Sequence, residues 1–185
     1  MTPTVGSLFS GIGGIDLAFQ WAGFEIAFQV EIDDFCHAVL RKNFPTVPKF
    51  KDICHVRGSD LPSVDVLAGG FPCQNISITG KRKGLEGEQS VLWTEFARLL
   101  GELRPSIAFV ENVPNITRLG GTRVVGDLAA LGYDAEWGIV PANAVGSPQS
   151  RKRWFLVGYA NGERYTSSFT PTNSPHDQEL SLIHI

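Results

Sequence analysis

Two apolar runs near the amino end, Val5-Gly6-Ser7-Leu8-Phe9-Ser10 and Ile15-Asp16-Leu17-Ala18-Phe19-Gln20-Trp21-Ala22, are separated only by Gly11-Ile12-Gly13-Gly14. The first run is short and reads as a strand. The second mixes helical spacing with near-continuous apolarity, which suits a helix packed on a sheet. Gly23 closes that helix as a C-terminal glycine. A strand that turns through glycines straight into a helix commits the chain to an α/β architecture. It also makes a cradle whose free backbone amides can meet a polar ligand. The glycine spacing is not GxGxxG, so the dinucleotide fingerprint is absent, and no Lys-Ser/Thr pair marks a phosphate loop.

Similar alternation runs down the chain. Phe24 to Glu31 reads as a second strand ending in an acid. A carboxylate there commonly takes ribose hydroxyls, although a capping or solvated acid explains it equally well. Asp33 can cap a helix over 35–43, which Pro45 stops. Phe50 to Ile53 reads as a short third strand, and Val64 to Ala68 as a buried fourth. An amphipathic helix over 92–100 precedes a fifth strand, Ile107 to Val110, with Glu111-Asn112 at its carboxyl end. A helix over 123–131 is closed by Gly132, and 135–140 with 154–159 form a final pair of strands around Gly146-Ser147-Pro148-Gln149.

The fourth strand leads into Gly69-Gly70-Phe71-Pro72-Cys73-Gln74. In open α/β sheets the carboxyl edge is where ligands bind, so Cys73 stands where a nucleophile would be useful. The competing reading is a small buried hydrophobe. Three cysteines, Cys36, Cys54 and Cys73, and four histidines show no metal-ligand spacing, so no metal is expected, and the odd cysteine count suits a reducing compartment. At 185 residues, 43% hydrophobic and 19% charged, the chain fits one soluble domain. No apolar run is long enough for a membrane span, and no signal peptide is visible, which points to the cytoplasm. The net charge of −3 argues against a self-sufficient nucleic-acid binder. The basic clusters Lys81-Arg82-Lys83 and Arg151-Lys152-Arg153 each read, taken singly, as solvated turns. Residues 78–87 are glycine-rich and polar, as in a mobile loop that closes over substrate. Residues 161–185, rich in Ser, Thr, Pro and Asn, read as a disordered linker or tail after a domain over 1–160.

Four separated stretches then match one family in order. Phe9-Ser10-Gly11-Ile12-Gly13-Gly14, Phe71-Pro72-Cys73-Gln74 with Ser77, Gly80, Gly84 and Leu92 downstream, Glu111-Asn112-Val113, and Gln149-Ser150-Arg151-Lys152-Arg153 resemble the motifs of DNA (cytosine-5) methyltransferases of the bacterial restriction-modification type. The resemblance covers about residues 4 to 160. It implies a Rossmann-like S-adenosylmethionine-dependent sheet with helices on both faces and its last strands forming an antiparallel edge. It implies that S-adenosylmethionine lies across Phe9, Ser10, Gly11, Gly13 and Gly14, with Glu31 on its ribose, Ile32 against adenine, Asp52 and Ile53 at the adenine edge, and Pro72 and Leu92 lining the pocket. Cys73 would be the nucleophile and Glu111 the acid at the base, with Arg151 and Arg153 favouring the thiolate and holding the base or a phosphate. The partner would be double-stranded DNA with a flipped cytosine, in a bacterial or phage-infected cell.

Family members continue into a target-recognition region and a returning C-terminal segment, and nothing after Ala160 resembles either. The resemblance therefore implies a truncated catalytic domain, whose missing half must come from further chain or from a partner. Alternatives are a tRNA cytosine-5 methyltransferase on the same domain and a catalytically silent module that keeps the fold. A nicotinamide dehydrogenase is disfavoured by its missing third spaced glycine.

Overall fold

The structure is a computed structural model and describes residues 1–72 and 89–161. Cys73, the expected mobile loop over 78–87 and the expected tail beyond Asn161 lie outside the described residues.

The strand-glycine-helix unit forms where the apolar runs placed it. β1 (Thr4–Leu8) is buried at four of five positions and leads through the glycine turn into α1 (Gly14–Trp21). Gly23, at φ 87°, reverses the chain into β2 (Glu25–Val30). The Asp33 carboxylate accepts from the Cys36 backbone amide at 2.8 Å and starts α2 (Asp34–Asn43). β3 is only Lys49–Phe50. The expectation of a strand through Ile53 is corrected, because Asp52 accepts from the Cys54 amide at 2.9 Å and caps a 3-10 turn over Ile53–His55 instead. A short acidic side chain bonding to nearby backbone competes with the sheet ladder in this way. β4 (Val66–Gly69), α3 (Gln89–Leu103) and β5 (Ile107–Asn112) follow, then a short α4 (Ile116–Leu119) that the apolar pattern did not suggest, α5 (Gly121–Ala130), β6 (Tyr133–Pro141) and β7 (Lys152–Ala160).

The seven strands form one sheet in the order β3-β2-β1-β4-β5-β7-β6. The first five are mutually parallel, and β7 runs antiparallel between β5 and β6. Helices cover both faces. On one, Val5, Ile26, Val66 and Ala68 meet Leu40 of α2 and Phe44 just after it, with Ile15 and Phe19 of α1 against them. On the other, Leu8, Phe28, Leu67, Ala108 and Val110 meet Trp93, Phe96, Leu99 and Leu100 of α3, and Val124 and Leu128 of α5. Burying such side chains contributes about 1.5 to 3 kcal/mol each.

A bulge in β2 decides which residues reach which face. Val5 pairs with Ile26, but Gly6 pairs with Phe28, so Ala27 is passed over. Ile26 and Phe28 thus enter opposite cores, against the period of two. Gly6 makes this possible: a Cβ there would stand 2.1 Å from Phe28 Cζ. No helix among the described residues is long and apolar enough to cross a membrane.

Candidate active site

Parallel pairing carries the carboxyl ends of four strands to one edge. Leu8 pairs with both Val30 and Gly69, and Gly69 with Val110. The loops after β1, β2, β4 and β5 therefore open side by side. Because β7 is antiparallel, it brings its first residues to that same edge: Asn112 pairs with Trp154, and Arg153 stands one step further out. All four sequence motifs meet there through their described residues, the second through Phe71 and Pro72.

The turn after β1 is wound tightly. Phe9 at φ 53°, Gly11 at 55° and Gly13 at 91° all take left-handed conformations. For Phe9 this costs about 1 to 2 kcal/mol, which surrounding bonds offset. The Ser10 backbone amide donates to Val30 O at 3.2 Å, its hydroxyl to Ser7 O at 3.2 Å, and the Gly13 amide to Ser10 O at 2.9 Å. A Cβ on Gly13 would lie 2.5 Å from Phe44 Cε2, whereas Gly14 faces open space.

Glu31 ties this turn to the next. Its Oε2 accepts from the Gly11 amide at 2.7 Å and its Oε1 from the Asp33 amide at 2.9 Å, while its backbone oxygen lies 2.6 Å from His37 Nε2. A carboxylate oxygen holds two acceptor sites, so each still has one for a ligand hydroxyl. Ile12 and Ile32 stand exposed beside it, at 59% and 68%. The Ile32 carbonyl accepts from Lys51 Nζ at 2.9 Å, and Lys51 also pairs with Asp34. Spare acceptor sites on the carboxylate, a glycine turn open at Gly14 and exposed isoleucines form a set of polar and apolar contacts that fits an adenosine moiety. Asp52 lies beyond β3, its carboxyl held below the usual range chiefly by the Cys54 backbone amide. Ile53 is 5% exposed, so its side chain belongs to the core. Pro72 and Leu92 are half-buried, Leu92 against the same core.

The second half of the site gathers around Glu111. This residue lies within β5, because pairing of Glu111 with Phe155 and Asn112 with Trp154 extends the strand two residues past the expected end. Its Oε1 is 2.5 Å from Arg153 Nε, both side chains being about one-quarter exposed. Burial pushes the Glu111 carboxyl up, and the charge of Arg151 pulls the other way. Arg151 is exposed, and its backbone oxygen accepts from the Ala142 amide at 2.8 Å. Asn112 donates from Nδ2 to Phe71 O at 3.2 Å and accepts from the Val113 amide at 2.8 Å, fastening the loop after β4 to the end of β5. A groove of about 500 Å³ between α1 and the β5-β7 pair is lined by Ile15, Ala18, Phe19, Phe109, Glu111 and Phe155.

Two features were not anticipated. Asp16 is fully buried at the start of α1, where its Oδ2 accepts from Ser7 Oγ at 3.0 Å and its Oδ1 from Gln29 Nε2 at 2.7 Å. Burial pushes its carboxyl up, while the two side-chain bonds pull it down. This cluster joins β1, α1 and β2 behind the glycine turn. Its only sequence signal is a lone acid in an otherwise apolar helix run. The second feature is the bond from Asn112 to Phe71 O, for which a polar residue ending an apolar strand is the signal. Among the described residues, no group of three or more His, Cys, Asp or Glu could hold a metal ion.

Comparisons with known proteins agree with one another. The family model described as C-5 cytosine-specific DNA methylase matches residues 4–184. The type II methyltransferase M.Bsp6I of Bacillus sp. (strain RFL6) is 37% identical over 96% of this chain and 58% of its own length. The crystal structure of a putative DNA modification methyltransferase encoded within an E. coli prophage superposes with a TM-score of 0.72 at 29% identity, covering 86% of this chain and 47% of that one. A DNMT2 variant from Spodoptera frugiperda shares the fold with a TM-score of 0.74 at 22% identity, over 90% and 53% of the two chains. The chain spans about half the length of the curated relatives it matches. With its parallel sheet, reversed β7 and motifs meeting at one edge, the chain belongs to the C-5 cytosine-specific DNA methylase family.

Proposed function

We propose that the protein transfers a methyl group from S-adenosylmethionine to C5 of cytosine in DNA through a covalent adduct on Cys73. The observation that carries this reading is the convergence of Glu111, Arg153 and the Gly70-Phe71-Pro72 stretch on the edge that also holds the Glu31-bound glycine turn. Cys73 follows Gly70 by three residues, a stretch that reaches at most about 11 Å.

The residue types suit the chemistry. Cytosine C5 is a poor nucleophile. The thiolate of Cys73 adds to C6, and the electron pair of the C5–C6 double bond becomes available at C5. Glu111 hydrogen-bonds or protonates N3 as the thiolate adds, offsetting charge on the ring. A carboxyl raised by burial is suited to hold that proton. S-Adenosylmethionine, when bound, supplies an electrophilic methyl group for C5. Loss of the C5 proton then re-forms the double bond and expels Cys73 as thiolate. Arg151 and Arg153 favour the thiolate form and hold the base carbonyl or a phosphate.

The glycine turn, Glu31 and Ile32 would hold the cofactor, with the ribose on the free acceptor sites of Glu31. Asp52 would approach the adenine edge, and Ile53 could do so only through its backbone. Pro72 and Leu92 would line the pocket. The substrate is duplex DNA with the target cytosine flipped out, at a cost of a few kcal/mol, in a bacterial or phage-infected cytoplasm. We assign residues 1–160 to the catalytic domain.

DNA containing 5-fluorocytosine tests the reading, because fluorine at C5 blocks the final elimination. The full-length protein with S-adenosylmethionine should form an adduct that survives denaturation and maps to Cys73. An adduct undiminished in Cys73→Ala, or none in the active protein, would sink it.

A further inference from the structure

We propose that Gly70 is a positioning residue for Glu111: by carrying no side chain, it leaves the space in which the carboxylate stands against Arg153. The proposal rests on the role given to Glu111 above.

The tandem glycines have different neighbours. A Cβ on Gly69 would fall 2.6 Å from the backbone oxygen of Leu8, with Leu8 Cβ and Phe96 Cε2 both at 3.2 Å. A Cβ on Gly70 would fall 2.7 Å from Glu111 Oε2, and the next atoms, Glu111 O and Cβ, lie at 3.6 and 3.7 Å, ordinary contact distances. Neither glycine is among the residues with positive φ, so backbone freedom does not select glycine at either position. A methyl group at position 69 would press on sheet backbone that cannot yield. At position 70 it would press only on the free end of one side chain.

That side chain is held on its other oxygen. Glu111 Oε1 contacts Arg153 Nε at 2.5 Å, and the two oxygens move as one rigid group. Swinging Oε2 clear of a new methyl group must therefore carry Oε1 off the guanidinium. Gly69 serves the sheet, while Gly70 sets where the acid stands.

The test uses the full-length protein as wild type, Gly69→Ala, Gly70→Ala, Glu111→Gln and the Gly70→Ala/Glu111→Gln double variant. Gly70→Ala should melt close to wild type, lose tenfold or more in kcat with the KM for S-adenosylmethionine unchanged, and shift the alkaline limb of the pH profile. Gly69→Ala should instead melt markedly lower. The double variant should be no slower than Glu111→Gln alone, which shows that the glycine acts through the acid. In nitrogen-15 NMR spectra, the Arg153 Nε–H resonance should move in Gly70→Ala toward its position in Glu111→Gln. Wild-type kcat with an unmoved resonance in Gly70→Ala, additive losses in the double variant, or a melting loss as large as that of Gly69→Ala would each overturn the proposal. Wild-type kcat in Glu111→Gln would instead overturn the role of Glu111, and the resonance would still report whether Gly70 places it.

Discussion

Arg153 Nε stands 2.5 Å from Glu111 Oε1, two side chains 42 positions apart that meet only because β7 runs antiparallel to β5. Burial raises the proton affinity of the acid and the charge of Arg151 lowers it, while a guanidinium in direct contact favours the charged form. Removing the guanidinium leaves burial unopposed by this partner. Arg153→Met should therefore raise the Glu111 pKa further, move the alkaline limb of the pH–rate profile to higher pH, and lower kcat about ten- to a hundredfold. A profile that stays in place would separate the two residues functionally.

Glu31 joins two loops through one carboxylate. Glu31→Ala frees the Gly11 and Asp33 amides together and deletes the proposed ribose acceptor. Calorimetric titration with S-adenosylmethionine should show affinity reduced tenfold or more, and the melting temperature should fall by a few degrees. Glu31→Gln keeps one acceptor oxygen and should lie between.

The Asp16 cluster makes a pH-dependent contribution whose sign is fixed. Its carboxyl is raised in the folded chain above the ordinary value of 3.8. Folding therefore favours the protonated form, and the associated stability is present at low pH and lost as pH rises through the folded pKa. Asp16→Asn lacks this titration. Denaturant unfolding at a series of pH values should show Asp16→Asn gaining on wild type as the pH rises from 4 to 7. Gln29 Oε1, buried without a partner among the described residues, offers an acceptor for the new amide when the Gln29 side chain turns over. Asp16→Ala should be destabilising by about 1 to 3 kcal/mol, because it orphans Ser7 and Gln29 together.

Asn112 holds the loop after β4 by the Phe71 carbonyl. Asn112→Ala should leave cofactor affinity near wild type and reduce the yield of 5-fluorocytosine adduct. An equal loss in both would mean that Asn112 serves the fold as a whole.

Four of the five parallel strands were legible as largely apolar runs, as with Val5 to Ser10 and Phe24 to Glu31, and the helices between them by caps and apolar spacing, whereas the third strand was misplaced toward Ile53. The edge that gathers the site followed from the same pattern. What escaped was set by pairing partners. Glu111 and Asn112 joined β5 because β7 reached them, and nothing local announces that extension. Phe28 faces the α3 side only because the bulge skips Ala27, and Gly6 looks like an ordinary weak spot until Phe28 lies over it. Asp16, the one acid in α1, points inward while Leu17 and Trp21 face out, at 40% and 80% exposure. Hydrophobic periodicity alone would assign these the other way round.

The reversed β7 has a consequence for assembly. Among the described residues, the last strand in the chain occupies an interior slot, while the earlier-made β6 takes the margin and bonds to the sheet only through β7. During synthesis the outer flank of β5 must wait, its peptide groups unmatched, until residues 152–160 have left the ribosome. The guanidinium of Arg153 arrives with that insertion. The nascent chain thus acquires the Glu111–Arg153 pair in the same event that zips this flank shut, and a chain stalled before that point would expose an unpaired strand edge.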